Sequence, residues 1–188
     1  MVERVTDDDV TRNPACQLAA GAVLAQRKLG SSQFVMMPYC DALRVTTGWF
    51  VQLWAESLGK RLNRHGEVVH AGQTPVAAVG ATDQHAQVQL FVEGPRDKLV
   101  TVIEVGNHGD KLEIPDELAG IDAVSFLHGR DLSELLNAER RATRAALLDA
   151  GVPVLDIKIE ELSPETVGGL LVLLEAACAN AGLLLGIN

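Results

Sequence analysis

What most constrains this chain is the alternation of two kinds of apolar segment along it. The runs QFVMMPY (33–39), TPVAAVG (74–80), KLVTVIEV (98–105) and PVLDIKI (153–159) are short, dense and bounded by turn-forming residues. Such runs suit strands, the first of them buried on both faces, and the third is heavily β-branched. Segments of helical length separate them. Asn13-Pro14 reads as an N-cap and first helical position for a helix closed by Gly30, and Asp41 as the cap of a second helix to about Leu58. Thr82 or Asp83 caps a third helix to Gly94, and Asp131 with Glu134 forms a capping box opening a fourth that Gly151 stops. A last helix starts near Pro164, while residues 1–12 read as a flexible lead-in, 60–70 as a polar connection and 106–130 as a long excursion. Strands alternating with helices require right-handed crossovers, so the expected fold is α/β, a parallel β-sheet with helices on both faces.

Composition narrows the function classes. The 188 residues carry 25 Asp and Glu against 16 Lys and Arg, a formal charge of -9, with no basic stripe to displace counterions from a phosphate backbone. No nucleic-acid partner is expected. The N-terminus lacks an apolar core for a signal peptide, and the apolar stretch Leu170 to Ile187 is interrupted by Glu175 and Asn180, so no membrane partner is expected either. Cys16, Cys40 and Cys178 are odd in number and unpaired in spacing, as in a reducing, cytoplasmic compartment.

Several familiar sites fail on pattern. No G-x-G-x-x-G follows the first strand, and ESLGK (56–60) lacks the glycine run that a phosphate-binding loop places before its lysine, so no nucleotide cofactor is expected. His65 and His70 have no partnering ligand pair and read as solvated loop histidines, so no metal is expected. No serine nucleophile elbow is present.

Two positions carry candidate chemistry. In WFVQLWAESLGK (49–60), Gln52, Glu56 and Lys60 share one helix face, with Trp49, Leu53 and Trp54 turned inward. Glu56 and Lys60 then form either a surface pair worth about 0.3–0.5 kcal/mol, or a carboxylate beside a sugar with Gln52 orienting it. In VGATDQHAQVQL (79–90), His85 falls in the first turn of a helix at a strand's carboxyl end, where the helix dipole disfavours imidazolium. A neutral histidine there can exchange protons near pH 7. Asp83 acts in the opposite direction, and bonding only to backbone or water is the other reading.

The segments MPYCDALRVTTGWFVQLWAESLGK (37–60) and GQTPVAAVGATDQHAQVQLFVEGPRDKLVTVIEV (72–105), continued by DLSELLNAERRAT (131–143), resemble the bacterial-type phosphoglucose isomerase family in its C-terminal sugar-isomerase (SIS) domain. The resemblance runs from Asn13 almost to the end. It implies a flavodoxin-like sheet and reversible isomerisation of glucose 6-phosphate to fructose 6-phosphate. It implies Glu56 as the base moving a proton between C1 and C2, Gln52 as a substrate contact, and His85 as the group assisting ring opening from the neighbouring subunit of a homodimer. No cofactor is implied.

Residues 13–188 would then be the C-terminal half of a longer enzyme. The family's hydroxyl-rich phosphate loop belongs to an N-terminal SIS domain, and its catalytic lysine to a segment that would follow Asn188. Pro38 to Arg44 offers Tyr39, Cys40 and Asp41 in place of that loop, and Asp41 would repel a dianion. The chain by itself is expected to be inactive. A regulatory SIS-type module that binds sugar phosphate without catalysis is the alternative, and a purely structural dimerisation domain a third.

Overall fold

In a computed structural model, residues 1–115, 117 and 120–187 are described, and Asn188 lies outside them. Four strands, β1 (Gln33–Pro38), β4 (Thr74–Ala77), β5 (Lys98–Asn107) and β6 (Val154–Glu161), form one wholly parallel sheet in the order β4-β1-β5-β6. A separate antiparallel hairpin, β2 (Lys60–Leu62) and β3 (Val68–Ala71), precedes β4. The helices are α1 (Val2–Val5), α2 (Pro14–Leu29), α3 (Arg44–Leu58), α4 (Gln89–Glu93), α5 (Leu132–Asp149) and α6 (Pro164–Leu185). The expected parallel α/β sheet is therefore present.

Alternation along the strands divides the core. Phe34 and Met36 of β1 with Leu99 and Ile103 of β5 pack beneath α2, α3 and α6, while Val35, Met37, Val100 and Val102 face Phe91 of α4 and Leu147 of α5. Only the two central strands are buried on both faces. The edge strands β4 and β6, each with a neighbour on one side only, are half exposed.

Several helix boundaries follow the sequence signals. The Asn13 side chain accepts from Ala15 N and Cys16 N, Gly30 closes α2 at φ 74°, and Ser163 and Thr166 cap α6 reciprocally. α6 is long and apolar enough to cross a bilayer on composition. Here Leu170, Leu174, Ala177 and Ala181 are buried in the core that α6 shares with α2 and α3.

Elsewhere the local signal was misread. Asp41 opens a 3-10 turn (Asp41–Leu43) and pairs with Arg44, with Oδ1 to Nη2 at 2.6 Å, rather than capping α3. Asp131 caps α5 through Ser133 N, but Glu134 lies against Arg130 at 3.5 Å instead of closing a capping box. The supposed polar connection 60–70 is the β2-β3 hairpin. Its turn is organised by Asn63 Oδ1, which accepts from His65 N and Glu67 N, and by Gly66 at φ 80°. The lead-in is tied down: α1 contacts α2 and α6, and Asn13 Nδ2 donates to the carbonyls of Val5 and Asp7.

Candidate functional site

α3 owes its orientation to an aromatic cluster. Phe50, Trp54 and Leu58 recur at four-residue spacing and are fully buried, and the Phe50 and Trp54 rings meet Phe34 of β1 edge-on at 5.2 and 4.9 Å. Trp49 and Leu53 are only partly buried, so Phe50 and Leu58 complete the inward stripe that spacing assigned to the tryptophans. That stripe leaves the opposite face, with Gln52 and Glu56, exposed. Gln52 Nε2 approaches Glu56 Oε1 at 3.5 Å. Lys60 Nζ donates to the backbone carbonyl of Glu56 at 2.9 Å, and no ion pair joins it to the Glu56 carboxylate. The contact between Glu56 and Lys60 is thus side chain to backbone.

His85 is reached by a different path. β4 is extended by Ala78 N and Gly80 N, which donate to Met36 O and Pro38 O, and the chain then turns into a π-helical segment (Gln84–Val88) leading to α4. Of the two cap candidates, Thr82 and Asp83, Asp83 stands at the N-cap of the π-helical segment, and its carboxylate accepts from Val79 N at 2.6 Å in place of a helical N–H, closing the turn from within. His85 is exposed on the first turn of this segment, at the carboxyl end of the strand.

Within one chain the structure does not bring these residues together. α3 begins at the carboxyl end of β1 and runs back, and its end meets the amino end of β4, where a Cβ on Gly72 would come within 2.9 Å of Leu58 O. Glu56 therefore lies toward the amino edge of the sheet and His85 beyond its carboxyl edge. The intervening stretch of β4 and its extension spans roughly 20 Å at the rise of a strand. The sheet changes direction between β1 and β5, where open parallel sheets place ligand crevices. A cleft of about 460 Å³ does open past β5, lined by Asn107, His108, Lys111, Asp131 and Ser133, but it includes none of Gln52, Glu56 and His85. Among the described residues no cluster of His, Cys, Asp and Glu is arranged to hold a metal.

Titration behaviour marks residues that spacing did not single out. Tyr39, at the end of β1, is fully buried, and burial pushes its phenol pKa up against the opposing contact with Thr143. Its hydroxyl hydrogen-bonds Gln84 Oε1, directly before His85. Burial likewise raises the Cys178 thiol, which lies 3.7 Å from Leu53 O on α3. The Tyr39 contact joins residues 45 positions apart in sequence, so no local motif could have announced it.

The parallel sheet in the order β4-β1-β5-β6, with helices on both faces, defines the class as an α/β domain of flavodoxin-like strand order. The profile described as phosphoglucose isomerase matches residues 6–188. The chain belongs to the phosphoglucose isomerase family. It is 46% identical over all 188 residues to a glucose-6-phosphate isomerase of Carboxydothermus hydrogenoformans, and 43% identical over 182 residues to one of Rubrobacter xylanophilus, covering 40% of each. Among solved structures, a hypothetical protein from Thermus thermophilus superposes with a TM-score of 0.88 at 38% identity, over 98% of this chain and 43% of that one. A glucose-6-phosphate isomerase from Chlamydia trachomatis shares the fold at a TM-score of 0.85 and 23% identity, over 99% of this chain and 37% of that one. The chain thus spans about two fifths of the length of these curated relatives.

Proposed function

We propose that this chain is the C-terminal SIS domain of a cytoplasmic, homodimeric glucose-6-phosphate isomerase that interconverts glucose 6-phosphate and fructose 6-phosphate. The observation that carries the reading is the exposed Glu56 carboxylate, adjoined by Gln52 and without an ion pair to Lys60. A proton moved between C1 and C2 through an enediol needs one carboxylate that accepts it and returns it on the same face of the sugar. Glu56 is that base, and Gln52, 3.5 Å away, holds the carboxylate and the sugar hydroxyls in register.

His85 assists opening of the sugar ring, which requires proton exchange at the ring oxygen and the anomeric hydroxyl near neutral pH. Its distance from Glu56 within a chain supports supply of His85 by the second copy. An N-terminal SIS domain and a segment after residue 188 would complete phosphate binding and catalysis, so the isolated chain has no turnover. The reading needs no metal or organic cofactor.

The test is Glu56→Gln in the full-length enzyme. Isomerisation should fall by about 10²- to 10⁴-fold, the usual contribution of a positioned acid-base group. Exchange of the C2 proton with solvent should be lost as well, with the circular dichroism spectrum unchanged. Retention of C2 exchange at the parental rate would overturn the assignment.

A further inference from the structure

The His85 turn is held by a polar contact that reaches it from the end of the neighbouring strand, β1. The Tyr39 ring is fully buried and lies directly over Gly80, where a Cβ would come within 2.6 Å of three of its carbons. From there its hydroxyl meets the Gln84 side chain. A phenol has one proton, and an amide oxygen only accepts, so Tyr39 donates to Gln84 Oε1. Thr143 of α5, itself buried, contacts the same phenol, and Arg140 one turn earlier is fixed by Glu104 of β5 at 2.7 Å. Burial keeps the phenol protonated across the working pH range, so the donor persists.

The backbone of the turn is pinned independently by the Asp83 carboxylate on Val79 N and by Gly80 N on Pro38 O. These contacts shape residues 79–83. Gln84 is the first residue of the π-helical segment, and its side chain ties that segment to Tyr39 at the end of β1.

Building on the role given to His85 above, we propose that Tyr39 and Gln84 are positioning residues for ring opening: the Tyr39–Gln84 hydrogen bond, backed by Thr143, fixes the turn that presents His85 to the sugar. Neither touches the reacting atoms. Their loss slows the step His85 assists and leaves proton transfer by Glu56 intact.

The test uses the full-length enzyme with glucose 6-phosphate, unlabelled and deuterated at C2. Tyr39→Phe keeps the ring over Gly80 and removes only the hydroxyl, and Gln84→Met removes the acceptor. Each should lower kcat about five- to tenfold, as expected for one lost buried hydrogen bond. The double variant should be no slower than either single, because both remove one interaction. As ring opening becomes limiting, the deuterium isotope effect on kcat/KM should fall toward unity. A merely structural loss would reduce the rate at an unchanged isotope effect, and that result, or two singles with parental rates, would overturn the proposal. His85→Asn, run in parallel, separates the two assignments. A parental rate there would overturn the role of His85 and this inference with it, whereas a slow His85→Asn beside a parental Tyr39→Phe would overturn this inference alone.

Discussion

Gly80 has no room for a side chain, since the Tyr39 ring occupies the space a Cβ would need at 2.5 Å. Because Tyr39 is fully buried, the ring has nowhere to withdraw. Gly80→Ala should therefore destabilise the protein by about 1–3 kcal/mol, the usual range for an overfilled core, seen as a lower denaturant midpoint with an unchanged slope. Gln52 and Glu56 were legible as a pair because helical spacing alone puts them on one face. Their freedom from Lys60 was not, because that lysine's choice of the Glu56 carbonyl over its carboxylate depends on the chain leaving the helix at Gly59 for the hairpin. The Tyr39–Gln84 contact was invisible for a different reason: strand pairing creates it between residues distant in sequence.

The helices were legible where a cap and a stop fall close to a periodic run, as Asn13 and Gly30 do in α2. Asp131 shows what such a cap does under acid. Its carboxylate accepts from Ser133 N, and also from Leu112 N at 3.0 Å, which joins α5 to the segment after β5. The bonds to Ser133, side chain first, hold its pKa below the usual carboxylate value. A carboxyl group depressed in the folded state stabilises fully above its unfolded pKa and loses that contribution as pH falls through the folded value. Stability should therefore decline below about pH 4, and Asp131→Ala should flatten that part of the curve, as measured by denaturant titration between pH 2 and 6. The hairpin β2-β3 was missed because its strands are only three and four residues long and mix Leu62, Val68, Val69 and Ala71 with Lys60, Arg61 and His70. Its one signal, Asn63 followed by Gly66, marks a turn without declaring the strands beside it. The segment after Asp41 was misread because a 3-10 turn and an α-helix can open on the same residues; here Asp41–Leu43 form the turn, with Leu43 buried, and α3 starts at Arg44.

On the function proposed above, the separation of Glu56 and His85 across one sheet makes a demand on the assembled enzyme. If each site takes Glu56 from one copy and His85 from the other, a Glu56→Gln variant and a His85→Asn variant are each inactive, yet a mixed dimer carries one site with both residues intact. Full-length subunits reshuffled from equal amounts of the two should recover about a quarter of the parental activity, because half the dimers are mixed and half their sites whole. Recovery of none would place both residues in one chain's site. For this protein the sequence by itself determined the parallel α/β layering, most helix boundaries and the three candidate site residues. Those follow from periodicity, caps and a long motif, all of which act through neighbours along the chain. Only the tertiary structure decided that Glu56 and His85 stand at opposite edges of the sheet, that Glu56 has no ion pair with Lys60, and that Tyr39 grips the His85 turn. Each depends on how strands pair and helices run back across the sheet, which brings together or parts residues irrespective of their distance in sequence.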